Sequence, residues 1–313
     1  MGPNLLIDKS ALEQLAPKEL AFLDRHFFLV LPPILLKEIQ ADIGKTNVPG
    51  GAPERWVTIL AQKLGLNSLG NDPWQSLCLT DLMGWPVPME RKCVSNAFER
   101  IETRTGVPGI RIGLSTVDKQ TEQWRLRPLT EAERDEGLRF REATRSTPPS
   151  DYLAVCRRLE IPITRPANVE QLRSQVDALV RRRDLAPNVL GLVVREAGLT
   201  RQEWRAALIR LQAVSGPLGR LGAYAEYCAK VLLSFCAGLL NPSIVGGRAT
   251  DRLDADYLFY LPFCQVFCSG DGLHERLAPQ LLGPDQDFVG AAVLKADLSR
   301  IAADWDRLTA EER

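Results

Sequence analysis

Two short, unbroken apolar runs near the start of the chain predict strands that are buried on both faces. The first run covers residues 5–7 and ends at Asp8, and the second covers residues 27–31. Continuous apolar runs of this length are typical of parallel sheets, whose two faces are covered by helices. Pro33 suits the first turn of a helix, so a helix is predicted from residue 34 to about residue 42.

Helical spacing of apolar residues dominates the middle of the chain, for example over residues 54–64 and 91–104. A small polar residue followed three positions later by Glu or Gln is a common pattern at a helix start. This pattern predicts helix starts at Ser10 with Glu13, Thr130 with Glu133, Asn168 with Gln171, and Thr200 with Glu203. No repeat of fixed period is present in this block.

Alternating helix and strand character returns in the last part of the chain. Helices are predicted over residues 219–240, 254–261, 273–282 and 292–308, and a strand over residues 266–268. The sequence therefore predicts an α/β fold class. Its core is expected in two parts, residues 1–48 and 216–313, with a mostly helical insertion at residues 49–215 between them.

The composition narrows the class of protein without naming a partner. The chain has 313 residues, of which 45% are hydrophobic, and a formal net charge of zero. A neutral total charge gives no global sign of nucleic-acid binding, so any basic surface has to be local. The basic residues are 30 Arg and only 9 Lys. Arginine suits phosphate contacts, although biased genomic base composition explains the same excess more simply.

Cysteine usage and the first residues predict a cytoplasmic protein. Seven cysteines, an odd number, argue against a secreted disulfide scaffold and favour buried free thiols. Residues 1–6 lack the basic start and long apolar stretch of a signal peptide. The long apolar helix predicted over residues 219–240 carries three charged side chains, so no contact with a membrane is expected.

Four acidic residues lie just after the predicted strands or in the helices next to them. Asp8 and Asp271 each follow the carboxyl end of a strand, Glu38 lies in the helix after the second strand, and Asp254 opens the helix before the last strand. Binding sites in parallel α/β sheets form outside the carboxyl ends of the strands. If the first and last strands are neighbours, these carboxylates face one crevice.

Each acid also has a simpler explanation when it is taken alone. Asp8 and Asp254 could cap helices, Glu38 could be a solvated helical acid, and Asp271 could begin a turn. Four acids together repel one another unless a cation is bound, and Mg²⁺ and Mn²⁺ prefer carboxylate oxygens. Two such ions can generate a hydroxide and stabilise the leaving oxygen of a phosphodiester.

Four short motifs around these acids resemble the motifs of PIN-domain nucleases. Residues 4–12 resemble the strand that delivers the first Asp of that family, and residues 31–39 resemble the helix that delivers a Glu. Residues 254–260 resemble the third motif. Residues 266–271 resemble the fourth, in which a strand ends in Ser or Thr, then one residue, then Asp. The resemblance covers about a third of the chain.

The resemblance implies a three-layer α/β/α domain with a central parallel sheet and a metal-dependent nuclease activity. It implies Asp8, Glu38, Asp254 and Asp271 as catalytic residues that bind Mg²⁺ or Mn²⁺, with Asp256 as a competitor for the place of Asp254. The activated water would cleave a phosphodiester, of RNA more readily than of DNA, so the resemblance implies an endoribonuclease. The large insertion departs from this family's compact form and could bind substrate or a regulatory protein partner.

Four further residues near the motifs are candidate contacts to the phosphates of a substrate. They are Lys9, Arg248, Arg252 and His274. Ordinary salt bridges are the commoner role for each basic residue taken singly.

Three alternatives stay open at this point. The chain could be a non-catalytic PIN-like module that binds RNA or a protein, since a fold does not decide function. It could be a DNA nuclease that uses the helical insertion as a clamp. It could also be a helical scaffold whose motifs arise by chance, which predicts no parallel sheet and places Asp8 far from Asp271.

Overall fold

A parallel five-stranded sheet is the centre of the protein in the computed structural model, which describes residues 2–49, 51–64, 68–95, 98–102 and 108–307. In chain order the strands are β1 (Asn4–Ile7), β2 (Phe28–Leu31), β3 (Ser68–Gly70), β4 (Phe98–Glu102), β5 (Pro108–Ile112), β6 (Val266–Ser269) and β7 (Asp287–Gly290). The central sheet has the order β3–β2–β1–β6–β7, and β4 pairs with β5 in a separate antiparallel ribbon.

Helices occupy most of the remaining described residues. They are α1 (Lys9–Gln14), α2 (Pro17–His26), α3 (Pro33–Ala41), α4 (Pro53–Lys63), α5 (Trp74–Leu82), α6 (Thr116–Leu126), α7 (Glu131–Ser146), α8 (Ser150–Arg158), α9 (Val169–Arg181), α10 (Ala186–Glu196), α11 (Arg201–Val214), α12 (Ala223–Gly238), α13 (Asp251–Leu258), α14 (Gly272–Leu281) and α15 (Ala291–Arg307).

The three predicted strands are confirmed as the middle of the sheet. β1 pairs in parallel with β2 on one side, through Leu5 and Leu29, and with β6 on the other, through Leu6 and Phe267. These four side chains are at most 1% exposed, as expected for strands covered on both faces. The protein is therefore an α/β protein with an all-parallel central sheet, consistent with three layers. The helical-scaffold alternative, which predicted no such sheet, is wrong.

The sheet draws one edge strand from the block that was expected to be a helical insertion. β3 pairs with β2 in parallel, through Leu69 and Val30. Three residues are too few to show an alternating or continuous apolar pattern, so this strand gave no signal in the sequence. The helical spacing over residues 91–104 was also misleading, because the described residues Phe98–Glu102 form β4. Strand pairing overrides a weak local preference of this kind.

Helix α12 is the core around which much of the middle block packs. Most of its side chains are buried, and α5, α8, α9 and α10 all pack against it. A helix that is apolar over most of its surface requires such surroundings. Residues 219–240 were predicted to form this helix, but it is shorter because residues 218–220 form a separate 3-10 turn.

Three of the four predicted capping patterns are confirmed, and one is wrong. Thr130 and Thr200 are the N-cap residues of capping boxes that begin α7 and α11, and Asn168 accepts a hydrogen bond from the backbone N–H of Gln171 at the start of α9. The exception is Ser10, because the N-cap of α1 is Asp8, two residues earlier. Asp8 accepts the backbone N–H of Ala11, so its carboxylate takes the role that was assigned to the serine.

The last helices differ from the predicted boundaries by small shifts. Helix α13 begins at Asp251, so Asp254 lies in its first turn and does not cap it.

Six cysteines are buried, Cys93 is partly exposed, and all seven are free. In the part of the chain that is described, no helix combines the length and apolar character needed to cross a membrane.

Candidate acidic active site

The predicted acids gather where the strand order of the sheet changes direction. From β1 the chain adds β2 and β3 on one side, and later β6 and β7 on the other. In open α/β sheets, ligands bind outside the carboxyl ends of the strands at such a switch point. Asp8 directly follows β1, and Asp271 lies two residues beyond β6. The side chains of Asp8, Glu38, Asp254 and Asp271 are here named the acid crevice.

Asp8 is held by hydrogen bonds that join the two ends of the chain. Its carboxylate is buried and accepts the Ser10 hydroxyl at 2.8 Å and the Ser269 hydroxyl at 2.6 Å. The Ser10 oxygen also accepts the backbone N–H of Gly270 at 2.9 Å. Burial alone would raise the pKa of Asp8, but hydrogen bonds from His274 and Ser269 lower it below its ordinary value. Asp8 is therefore a charged, well-anchored carboxylate.

His274 lies behind Asp8 as a buried cation. Its Nε2 is 2.6 Å from the backbone carbonyl of Asp254, which can only accept, so Nε2 carries a proton. Its Nδ1 lies 2.7 Å from the Ser269 oxygen, whose own proton goes to Asp8, and 3.4 Å from Asp8 itself. Nδ1 therefore also carries a proton. Burial would lower the pKa of His274, but the contact with Asp8 raises it above its ordinary value.

Glu38 forms the side of the crevice that belongs to α3. Its carboxylate accepts a hydrogen bond from the hydroxyl of Tyr257 at 2.5 Å. Burial raises the pKa of Glu38 to about 7, and the negative charge of Asp8 adds to this rise. The Tyr257 hydroxyl and the ammonium group of Lys9 oppose the rise without cancelling it. Negative charge on Glu38 is therefore unfavourable unless another cation approaches.

Asp254 and Asp271 share the guanidinium group of Arg248. Its Nη2 lies 3.3 Å from Asp271 Oδ2 and 3.8 Å from Asp254 Oδ2. The Nε of Arg248 also contacts the fully buried Asp251 at 2.8 Å. Burial raises the pKa of Asp254 to about 8, and the charges of Asp271 and Glu38 add to this rise. Arg248 therefore compensates only part of the negative charge.

The donors of the acid crevice have the chemistry that a hard divalent cation prefers. All four are carboxylates, and two of them, Glu38 and Asp254, have pKa values raised by burial and by neighbouring carboxylates. Within the described residues, no group of three or more His, Cys, Asp or Glu side chains is preformed to hold a metal ion. Arg248 lies between two of the acids instead, and its side chain is 60% exposed.

Asp256 and Arg252 do not belong to the crevice. They form an ion pair with each other, and both side chains are mostly buried. The Arg252 guanidinium also lies over the rings of Tyr152 and Phe259, at 5.4 Å and 5.9 Å from their centroids. Asp254 and Asp256 thus point to different sides of α13, as expected for positions two apart on a helix. Arg252, a candidate phosphate contact in the sequence, is placed as a structural cation.

Lys9 lies next to the crevice but is already paired. Its ammonium group is 2.8 Å from Asp42 Oδ2 and 3.2 Å from Glu13. Lys45 adds a second ion pair to Asp42 at 2.9 Å, and the Trp56 indole donates to it at 3.2 Å. Of the four candidate phosphate contacts, Arg248 has the side chain that is open to solvent at the crevice. Lys9 and Arg252 are mostly buried in ion pairs, and His274 is fully buried.

Two adjacent cavities lie beside the crevice, and each is lined by residues of α3, α7 and α13. The first, of about 300 Å³, is named the aromatic cavity because Trp74, Phe140 and Tyr260 line it. The second, of about 290 Å³, contains Glu38 in its lining and is named the basic cleft. Its basic residues are Lys9, Lys45, Arg141 and Arg145. Phe140 lines both cavities, so they lie next to each other.

Several residues of the site had no role assigned from the sequence. Ser269 links Asp8 to His274, and Tyr257 binds Glu38. Both lie inside the motifs, where a polar group next to an acid was the available signal. Asp251, which holds Arg248, is buried in the first turn of α13, and nothing in the sequence distinguishes it from a solvated acid.

Comparison with known proteins gives no match for this chain. No family model matches the sequence, and no curated protein or solved structure does so either. The geometry of the acid crevice is therefore the basis on which a function has to be argued.

Proposed function

We propose that this chain is a metal-dependent nuclease that resembles the PIN-domain family and hydrolyses phosphodiester bonds, most readily those of single-stranded RNA. The observation that carries the proposal is the placement of four electrostatically coupled carboxylates, two early and two late in the sequence, around the switch point of the sheet. Asp8 and Glu38 come from the first part of the chain, and Asp254 and Asp271 come from the last part. Sites in this position of an open α/β sheet bind ligands.

The electrostatics of the crevice support a cation as the missing partner. Burial and mutual repulsion raise the pKa values of Glu38 and Asp254 to about 7 and about 8. An Mg²⁺ or Mn²⁺ ion bound there would relieve this repulsion and supply a hydroxide nucleophile near neutral pH. The ligands would be Asp8, Glu38, Asp254 and Asp271.

The other residues of the site position these acids. Ser269 and His274 fix the carboxylate of Asp8 and keep it charged. Tyr257 orients Glu38 through its hydroxyl. Arg248 has the exposed head group that can leave the acids for the phosphate of a substrate, because a guanidinium binds phosphate oxygens through two parallel hydrogen bonds. Asp256 has no place in this set, since it is paired with Arg252.

The test is cleavage of labelled single-stranded RNA, single-stranded DNA and duplexes, with Mn²⁺ or with excess chelator. We expect RNA cleavage by the wild-type chain only when the metal is present. Asp254→Asn should lose this activity, whereas Asp304→Asn, at an exposed acid of α15, should keep it. Asp254 is preferable to Asp8 for this test because Asp8 also caps α1.

Three outcomes would contradict the proposal or change it. Cleavage that persists in chelator or in Asp254→Asn rules out the acid crevice as the catalytic site. A failure to bind Mn²⁺ at millimolar concentration favours a non-catalytic binding module. Stronger cleavage of DNA than of RNA keeps the chemistry and changes the substrate.

A further inference from the structure

The basic cleft carries positive charge that the protein itself does not neutralise. Lys9 and Lys45 are both paired with Asp42, so these two cations are already engaged. Arg141 and Arg145 have no acid within ion-pair distance in the described parts of the chain. Arg145 is exposed, and the Nε of Arg141 is buried without a hydrogen-bond partner among these residues. Two neighbouring guanidinium groups are thus available to an anion.

The position of these arginines suits the backbone of a nucleic acid. They are four residues apart on α7, so they lie on the same face of the helix. The cleft that they line also contains Glu38, an acid of the crevice. Phosphates held by the two arginines would therefore lie directly beside the proposed catalytic carboxylates.

The aromatic cavity has a different chemistry from the basic cleft. Phe140 supplies partly exposed ring surface beside the buried rings of Trp74 and Tyr260, while Lys37 and Gln120 supply polar groups. The cavity also contains carboxylates, so its lining offers both donors and acceptors. A nucleobase needs this combination, because its faces stack on rings and its edges carry donors and acceptors.

Two buried donors beside this cavity point to a ligand. Asn71 and Trp74 both line the cavity, and both are at most 2% exposed. The Nδ2 of Asn71 and the Nε1 of Trp74 have no hydrogen-bond partner in the described structure. Buried polar groups of folded proteins nearly always have one. Both atoms are covered, so an acceptor from a ligand reaches them only if neighbouring side chains move.

We propose that a single strand of nucleic acid binds across both cavities, with phosphates in the basic cleft and one base in the aromatic cavity. The nature of this occupant rests on the proposed nuclease function. Phe140 lies at the boundary between the cavities, where the strand would turn its base out of the stack. Recognition of unstacked bases in aromatic pockets is typical of single-stranded RNA. The middle block of the chain thereby gains a role, since Phe140, Arg141 and Arg145 all belong to α7.

The phosphate half of the proposal is tested by salt dependence. Binding of a fluorescent single-stranded RNA to the full chain is measured by anisotropy in EDTA, where cleavage is not required. For single strands, log affinity decreases linearly with log salt concentration. The slope becomes less steep by about 0.7 for each phosphate contact that is lost. We expect this loss in Arg145→Gln, with weaker binding at low salt. Arg139→Gln, an exposed residue of the same helix outside the cleft, should behave as wild type.

The base half is tested by removing bases from the RNA one at a time. A strand with one abasic position should bind about tenfold more weakly at a single register, because a stacked base contributes about that factor. Gln120→Trp fills the aromatic cavity and should abolish this difference. Gln123→Trp, at an exposed position of α6 outside the cavity, should retain it.

The controls separate this inference from the proposed function. Equal salt slopes for Arg145→Gln and Arg139→Gln would overturn the phosphate half, and an abasic scan without a sensitive position would overturn the base half. A chain that cleaves RNA but shows neither effect retains its proposed function and refutes this binding mode. A chain that shows both effects but never cleaves retains the binding mode alone. Thermal unfolding of each variant checks that it is folded.

Discussion

Glu38 and Asp42 lie one helical turn apart, on the same side of the sheet and beside the same lysine, Lys9. Their carboxylates nevertheless differ in the cations and hydrogen-bond donors that contact them. Asp42 accepts ion pairs from Lys9 and Lys45 and a hydrogen bond from the Trp56 indole. Among the described residues, only the Tyr257 hydroxyl donates a hydrogen bond to Glu38, and the charge of nearby Asp8 raises the pKa of Glu38. Asp42 is thus a carboxylate whose charge is balanced within the fold, and Glu38 is one whose charge is not.

This difference separates a structural acid from a candidate catalytic one. A buried ion pair that is fully satisfied holds elements together, and losing one partner leaves an uncompensated charge. An acid with a raised pKa and no cation partner costs stability in the free protein, and a bound ligand recovers this cost. The largest effects expected from mutation should therefore be on activity at Glu38 and on stability at Asp42.

The largest effect should be on cleavage. Glu38→Gln removes a carboxylate that we propose as a metal ligand, and the cleavage rate should fall about 1,000-fold, or about 4 kcal/mol of transition-state stabilisation. Asp42→Asn, assayed at a temperature where it is folded, should stay within about tenfold of wild type, since positioning effects of neighbouring groups are smaller. Comparable losses in both variants would remove the distinction between the two acids.

The reverse order should hold for stability. Asp42→Asn leaves Lys9 buried without its main partner, so the free energy of unfolding should fall by about 3 kcal/mol, as expected for breaking a buried pair. Glu38→Gln should be neutral or stabilising at pH 8, because the charged glutamate is unfavourable there. Urea unfolding of both variants in EDTA measures the difference. A Glu38→Gln variant less stable than Asp42→Asn would contradict it.

The pH dependence of stability sharpens the comparison in the metal-free protein. The pKa values of Glu38 and Asp254 rise on folding, from ordinary values of 4.5 and 3.8 to about 7 and about 8. The folded state therefore binds more protons than the unfolded state between pH 4 and pH 8. The favourable contribution is complete below the unfolded pKa and is lost as pH rises through the folded one.

The free energy of unfolding in EDTA should consequently decrease by about 6 kcal/mol between pH 5 and pH 9 through these two groups. The Glu38→Gln variant should show a weaker dependence, and saturating Mn²⁺ should reverse much of the loss by binding the charged carboxylates. Stability that rises steadily over this range, unchanged by Glu38→Gln, would show that other groups dominate the site.

The smallest expected effect concerns the cation that the protein places among the acids. Arg248→Gln removes the guanidinium that contacts Asp254 and Asp271, so Mn²⁺ should bind about fivefold more tightly, the scale of an exposed ion pair. Turnover of RNA should fall at the same time if this arginine contacts phosphate. Calorimetric titration with Mn²⁺ gives the affinity. Weaker binding in the variant would show that Arg248 supports the metal site instead of competing with it.

The sequence predicted the centre of the fold better than its edges. The strands of residues 5–7 and 266–268 have continuous apolar runs because both of their faces are covered, and the runs revealed them. β3 and β7 are edge strands of three and four residues with little apolar character, and neither was predicted. Their existence depends on pairing partners that are distant in the sequence, which no local pattern records.

The same reasoning applies to the site. Asp8 and Asp271 could be placed together because both follow strands whose carboxyl ends share an edge of the sheet. The burial of His274 and the pairing of Arg252 with Asp256 could not be predicted, since a charged residue gives the same pattern on a surface as in a buried ion pair. The metal ligands and the RNA substrate remain predictions for the experiments above.

The hydrogen bond between Ser269 and Asp8 spans 261 positions of the chain, and this separation has a consequence for biosynthesis. A ribosome makes the N-terminal strand first, and domains usually begin to fold as they emerge. Strand β1 then waits with one edge unpaired until β6 has been made, and the loop between them is closed late. A nascent or truncated chain without β6 has no complete acid crevice. The proposed activity would thus appear only after β6 and Asp271 have been synthesised.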